Sequence, residues 1–466
     1  MLTYDVKFWA IRQRDGRAKP YQLRWVVGPE EHSKSYRLKS QAEGRLAELM
    51  AALRNREPFD TVTGLPDSEL RALNSPTWYA HARDYVEMKW PTVSAKHRAS
   101  IAESLATVTP TLVKDERGAP TAHALRTALY AWAFRLVKDE DGRWQRRTDL
   151  ETPPEHIAHA LDWIARKSLQ VTDLDTPVVL RSALRALSLK MDGTPAAPNT
   201  VNRKIPVFSN ALRYAVELDR LDAVPLGKID WSAPEVDDEI DFRYVPGPQL
   251  TRQLLEAVAD QGARGRHLRA FFGCIYYAGA RPAEVVSLAL PDCTLPDEGW
   301  GELVFAKSTA RIGSAWTNTG ESFDSRGLKR RARNATRTVP IPPILVRMLR
   351  RHIEEFGTAP DGRLFRAARG GLVLTKEYGE IWTAARRVVL TSHQFDTPLA
   401  ETAYSARRAG ISLWLKSGVA PAEVARRAGH SIAVLHRFYN KIINGHRHED
   451  NARLERALTD DIRSPI

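Results

Sequence analysis

Apolar residues recur along this chain at two different periods, and the change from one to the other divides it. Between residues 4 and 39 they alternate. The stretches 6–12, 21–27 and 34–38 read as three short strands, the first two separated by an Asp15-Gly16 turn, with a helix over 41–55. From Trp78 to Trp231 the spacing lengthens to three and four, so 78–90, 122–137, 155–168, 178–191 and 199–218 read as amphipathic helices. Five acids then fall between Glu235 and Asp241, ahead of Pro246 and Pro248, a composition that suits an exposed linker. Beyond Pro248, helices are expected at 249–261 and 267–279, a strand at 301–308 and its partner at 335–342. A helix at 343–357 carries Ile344, Leu345, Met348, Leu349, Ile353 and Phe356 on one side, and helices dominate to the end.

The expected fold is therefore mainly α with small β-sheets, an α+β chain. It is read as a β-rich module over 1–68, a helical domain over 69–232, a linker over 233–247 and a mostly helical domain with one small sheet over 248–466. Its 466 residues are too many for one ordinary domain, in line with that division.

Charge adds a partner to this outline. The formal net charge is +13 and the isoelectric point about 9.7. A chain so basic suits a polyanion, because lysines and arginines that face phosphates release condensed counterions. The surplus is marked in the first 45 residues. It is also marked between Arg326 and Arg337, where six Lys/Arg occur with no acid. Cys274 and Cys293 have no metal-ligand neighbours and form no disulfide framework. No stretch approaches the length of a signal core or a membrane span, so a soluble, cytoplasmic protein is expected. Metal chemistry lacks its usual marks: there is no HExxH, no Cys/His cluster and no glycine-rich phosphate loop.

Candidate chemistry lies in the last third. His430 follows Gly429, Tyr439 stands nine residues later, and Arg407 lies 23 residues before the histidine. Arginine, histidine and a late tyrosine in this order are what attack on a DNA phosphate by a phenol needs. Each part alone is common, since tyrosines at helical spacing are mostly core residues. A second, independent match lies upstream, where Arg281 sits between a glycine-containing turn and a helix opened by Pro282, with Glu284 three residues on.

Taken together, these segments resemble the two boxes of the tyrosine recombinase (phage integrase) family. The matching residues are Arg281 with Glu284, a basic hairpin, Tyr404-x-x-Arg407, Gly429-His430 and Tyr439. Tyr404 departs from the pattern, standing where the family usually has histidine. The resemblance covers roughly residues 248 to 445. It implies that Tyr439 is a nucleophile giving a covalent 3′-phosphotyrosine, that Arg281 and Arg407 clamp the phosphate, and that His430 donates to the phosphate or manages the tyrosine proton. Glu284 would hold Arg281 and Tyr404 would bind phosphate. It also implies a hairpin lysine as general acid, either Lys307 or Lys329; the usual distance before the returning strand favours Lys329.

Such an enzyme needs no cofactor, neither ATP nor metal. The expected partners are double-stranded DNA attachment sites and a homo-tetramer formed on them, with a DNA-bending host factor or a directionality factor as further candidates. The expected activity is integration and excision of a mobile element through a Holliday junction, with the basic N-terminal module binding separate arm sites. A type IB topoisomerase would share the chemistry, and a recombinase-derived DNA-binding regulator would share the fold without cleavage.

Overall fold

The computed structural model describes residues 1–236, 240–328 and 335–444, together with residues 451, 452, 455, 456 and 458. Its contacts divide the chain into two compact units, 1–236 and 237–466. The boundary read at 68/69 falls inside the first unit.

In the first unit, Tyr21–Val27 is the central strand of a four-stranded antiparallel sheet, pairing with Val6–Phe8, Arg12–Gln13 and Glu30–Tyr36. Its alternation is the reason: Leu23, Trp25 and Val27 point inward onto Leu49 of the helix Lys39–Arg54 and onto Phe59. The last strand begins earlier than the apolar pattern suggests, because Glu30, Glu31 and Lys34 keep it on the solvent side.

The helices Trp78–Lys89, Ala95–Val108, Glu155–Lys167, Pro177–Leu187 and Pro198–Glu217 form most of the rest of the unit. Two of the buried polar side chains there are paired: Trp78 Nε1 donates to Thr109 Oγ1 at 3.0 Å, and His81 Nε2 lies 2.8 Å from the Ala211 carbonyl oxygen. One expected helix is shorter than read. Ala122–Ala128 runs into a π-turn at Leu129–Ala133, after which Leu136–Lys138 pairs with Trp144–Arg146 as a hairpin closed near Asp141-Gly142. Leu136 and Val137 fit either period, and only the Asp-Gly pair marks the turn.

The second unit has a core of its own. Helices Pro248–Ala259, Gly262–Tyr277, Pro343–Phe356, Thr375–Val389 and Ala403–Lys416 share a core with a three-stranded antiparallel sheet in which Gly301–Phe305 lies between Arg337–Ile341 and Cys293–Thr294. Phe271, Phe272, Ile275, Leu303, Val339, Ile341, Leu345 and Trp382 fill its interior. The stretch between Gly301–Phe305 and Arg337–Ile341 contains a second hairpin, Lys307–Arg311 with Phe323–Gly327. A further departure concerns the linker. From Ile240 onward it belongs to the second unit: Ile240 is buried, Phe242–Tyr244 forms a 3-10 turn, and the Ala400 N–H donates to the Tyr244 carbonyl at 3.0 Å. An apolar residue at 240 inside an acidic run is what the composition concealed. Among the described residues no helix is long and apolar enough to cross a membrane.

Helices Gly262–Tyr277 and Ala403–Lys416 approach so closely that a β-carbon at Gly410 would collide with the Tyr276 carbonyl oxygen. A backbone oxygen cannot swing aside as a side chain can. Gly410→Ala is therefore expected to cost about 3 kcal/mol in overpacking and to recover only about 1 kcal/mol in helix propensity. Urea unfolding followed by circular dichroism should show the net loss.

Candidate active site

Helix Pro421–Ala428 ends in a left-handed glycine, Gly429, at φ 64° and ψ 43°. That cap turns the chain so that the His430 N–H returns to the Ala425 carbonyl, and it leaves the last carbonyls of the helix without helical donors. Three arginines from three distant segments fill the vacancy. Arg337 Nη1 donates to the Arg427 carbonyl, Arg407 Nη2 to the Ala428 carbonyl at 2.5 Å, and Arg281 Nη2 to the Gly429 carbonyl at 3.1 Å. The negative end of the helix dipole adds to their attraction.

Each arginine is set by its own element. Arg281 precedes the short helix Pro282–Val285, where Pro282 fixes the first turn. Glu284 accepts the Arg281 backbone N–H at 2.8 Å and its Nη1 at 2.9 Å. Arg337 opens the strand Arg337–Ile341, lies over the Phe305 ring, and bonds the same Glu284 at 2.5 Å. Arg407 lies on helix Ala403–Lys416 and also donates to the Gly279 carbonyl and to His430 Nε2, the latter at 3.0 Å. Gly279 occupies φ +52° as the chain turns toward Arg281.

The electrostatics follow from burial. Three guanidiniums share one carboxylate, so the cluster carries net positive charge. Burial pushes Glu284 upward, but Arg337, Arg281 and Arg407 together outweigh it and hold the carboxyl below its ordinary range. Burial first, and then Arg407, Arg281 and Arg337, bring His430 down to about 3, so the imidazole is neutral at neutral pH. With Arg407 donating to Nε2, its proton sits on Nδ1.

Exposure separates the residues singled out in the sequence. Arg281 keeps a quarter of its side chain in solvent, whereas Arg407 has none. Tyr404 is 38% exposed, with the Arg407 and Arg408 guanidiniums each 5.9 Å from its ring centre. Tyr439 lies on helix Ile432–Asn444 and is only 2% exposed. Its ring is packed among Ile411, Leu415, Val424 and Leu435; burial raises the phenol pKa, and Arg407 pulls it back. Lys307 lines a cavity of about 660 Å³ that extends to Glu284. Lys329, preferred from the sequence, lies outside the described residues.

Arg337 belongs to this cluster and was not singled out from the sequence, where it is the last of six basic residues and resembles the other five. The one available signal was its strand pattern: Arg337, Val339 and Ile341 share the buried face of Arg337–Ile341. Among the described residues no group of three His, Cys, Asp or Glu side chains has the arrangement to hold a metal ion.

No protein-family model matches the sequence, and no curated protein matches it either. Solved structures do resemble the chain. The Tn1549 transposon integrase in complex with circular intermediate DNA is similar at 17% identity and a TM-score of 0.47, over 66% of this chain and 95% of that one. The lambda integrase tetramer bound to a Holliday junction is similar at 11% identity and a TM-score of 0.44, over 91% of this chain and 94% of that one. The XerH site-specific recombinase bound to palindromic difH is similar at 12% identity and a TM-score of 0.42, over 78% of this chain and 96% of that one.

Glu284→Gln would leave the buried Arg337 guanidinium, and the partly exposed one of Arg281, without their shared countercharge. It is expected to destabilise the second unit by about 3–5 kcal/mol, read by urea unfolding. His430 gives a pH signature. Its folded-state pKa lies below the unfolded value of 6.5, so below that pH the unfolded chain takes up the proton first and stability falls as pH drops from 6.5 toward 3. His430→Asn should flatten part of that slope when unfolding free energy is measured across the window.

Proposed function

We propose that this chain is a site-specific DNA recombinase, cutting and rejoining strands through Tyr439, and that it serves the integration and excision of a mobile element. One observation carries the reading: Arg281, Arg407 and His430, distant in sequence, meet at one turn, and the Arg407 charge reaches the phenol of Tyr439.

A phosphodiester repels nucleophiles with its negative charge, and attack concentrates more charge on the non-bridging oxygens. Guanidiniums stay protonated at any working pH and offer paired donors to those oxygens. Arg281, with its exposed edge, binds the phosphate directly. Arg407 acts from beneath the surface, where the low dielectric strengthens its field. Tyr404 presents a phenol hydroxyl where the family usually has an imidazole, so it hydrogen-bonds phosphate without carrying charge near neutral pH.

In the reaction the Tyr439 oxygen bonds to phosphorus and the bond from phosphorus to the 5′-oxygen breaks. The phenol loses its proton and the departing 5′-oxygen gains one from a general acid, for which the hairpin lysine, Lys329 or Lys307, is suited. The 3′-phosphotyrosine conserves the phosphodiester energy. A 5′-hydroxyl from another strand reverses the step without ATP. Two such exchanges between duplexes pass through a Holliday junction, which calls for four subunits. The first unit's sheet and helices supply further DNA contacts, as separate β-rich and helical modules over 1–68 and 69–232, and accessory bending or directionality factors would act on that assembly.

The test is a denaturant-resistant adduct on labelled duplexes that tile the DNA flanking the protein's own coding sequence, each carrying a nick that traps the cleaved strand. The native chain should form the adduct and Tyr439→Phe should form none while binding equally well. Arg281→Ala should slow it on the order of 10²–10³-fold. Because burial raises the Tyr439 phenol, the adduct rate should climb with pH across the neutral and alkaline range. No adduct on tightly bound DNA would replace this reading with that of a non-cleaving regulator.

A further inference from the structure

The helix that carries Tyr439 has two kinds of neighbour. On one side Ile411, Leu415, Val424, Ala425 and Ala428 pack against it from helices Ala403–Lys416 and Pro421–Ala428, which also carry the arginine-bound turn. The second kind is the segment that enters the second unit from the first. Ile240 is 6% exposed in the same cluster, and the Phe242 ring lies 6.2 Å from the Tyr439 ring at 48° between planes.

This segment is fastened independently of Tyr439. Asp241 accepts the Arg243 backbone N–H at 3.0 Å and pairs with its guanidinium at 2.6 Å, closing the 3-10 turn Phe242–Tyr244. The Tyr244 carbonyl is bonded to Ala400, and Val245 packs against both apolar clusters of the unit. A turn locked at both ends holds Phe242 in one place. A phenylalanine held in one place restricts the tilt of the ring beside it.

Resting on the reading of Tyr439 as nucleophile, we infer that Ile240 and Phe242 are positioning residues for cleavage, fixing the tilt of the Tyr439 ring and keeping water from its edge. The argument needs no contact of theirs with DNA. In-line attack tolerates little error in the position of the attacking oxygen, and a displacement near 1 Å costs on the order of 10²-fold in rate. Charges do not compete for this role. The charges facing the phenol are Arg407 and Arg408, with the uncharged phenol of Tyr404 beside them, all from helix Ala403–Lys416. Asp241 and Arg243 in the entering segment neutralise each other, and on helix Pro421–Ala428 Glu423 is paired with Arg426 and Arg427.

The experiment compares the full-length native chain with Phe242→Ala, Phe242→Leu and Ile240→Ala in the trapped-adduct assay on the same nicked, tiled duplexes. Binding is measured by mobility shift, and the Tyr439 titration by NMR of the chain labelled with carbon-13 tyrosine. Phe242→Ala should slow adduct formation on the order of 10- to 100-fold with unchanged duplex affinity, and should move the Tyr439 titration and the rise of the pH–rate profile to lower pH as water reaches the ring. Phe242→Leu should restore most of the rate, and Ile240→Ala should show the same changes in weaker form if Phe242→Ala does not fold. A lower melting temperature with unaltered rate, titration and pH profile would overturn the inference, leaving Phe242 an ordinary core residue. An absence of adduct from the native chain on tightly bound DNA would instead overturn the recombinase reading itself, and the two failures are told apart by that native control.

Discussion

Three consecutive backbone carbonyls at the end of one short helix organise the site. Residues 427, 428 and 429 each accept from a different arginine, and those arginines come from the start of a strand, the first half of a long helix and the entrance to a short one. The arrangement works because a helix C-terminus presents unsatisfied acceptors and a negative dipole together, while the guanidinium can donate in several directions at once. Glu284 completes it by bonding two of the arginines from behind. The outcome is a cationic cluster whose members are held by the chain's own carbonyls and one carboxylate; in the proposed reaction such preorganised charge would stabilise the transition state.

Burial then sorts the cluster into layers. Arg281 and Tyr404 reach solvent; Arg407, Arg337 and Glu284 do not, and Tyr439 is nearly enclosed. Two tyrosines thus neighbour one buried guanidinium in opposite settings. Tyr404 stands in water beside Arg407 and Arg408, whereas Tyr439 trades hydration for an apolar wall. In the proposed reaction that difference would assign the exposed phenol to binding and the enclosed one to attack.

Much of this was legible in the sequence because it depended on local order. Arg281 before a proline, Glu284 three residues later, glycine ahead of His430 and the nine-residue step to Tyr439 are short-range relations that survive without knowledge of the fold. Arg337 was hidden because its role is set by partners 53 and 90 residues away and its own neighbourhood is uniformly basic. The hairpin Lys307–Arg311 with Phe323–Gly327 escaped because polar strands lack an apolar period. Composition misled at 240–245, where five nearby acids outweighed one isoleucine and one phenylalanine that decide where the segment packs.

The choice of main-chain acceptors has a consequence for how the site withstands change. A carbonyl oxygen is present whatever side chain its residue bears, so substitution at 427 or 428 leaves the acceptor itself in place. Vulnerability is concentrated at Gly429, where the left-handed backbone strains any other residue and a β-carbon, 3.1 Å from Arg337 Cδ and 3.4 Å from Arg281 Nη1, would press on two of the arginines. Mutational fragility is thereby moved off most of the turn and onto a single hydrogen atom.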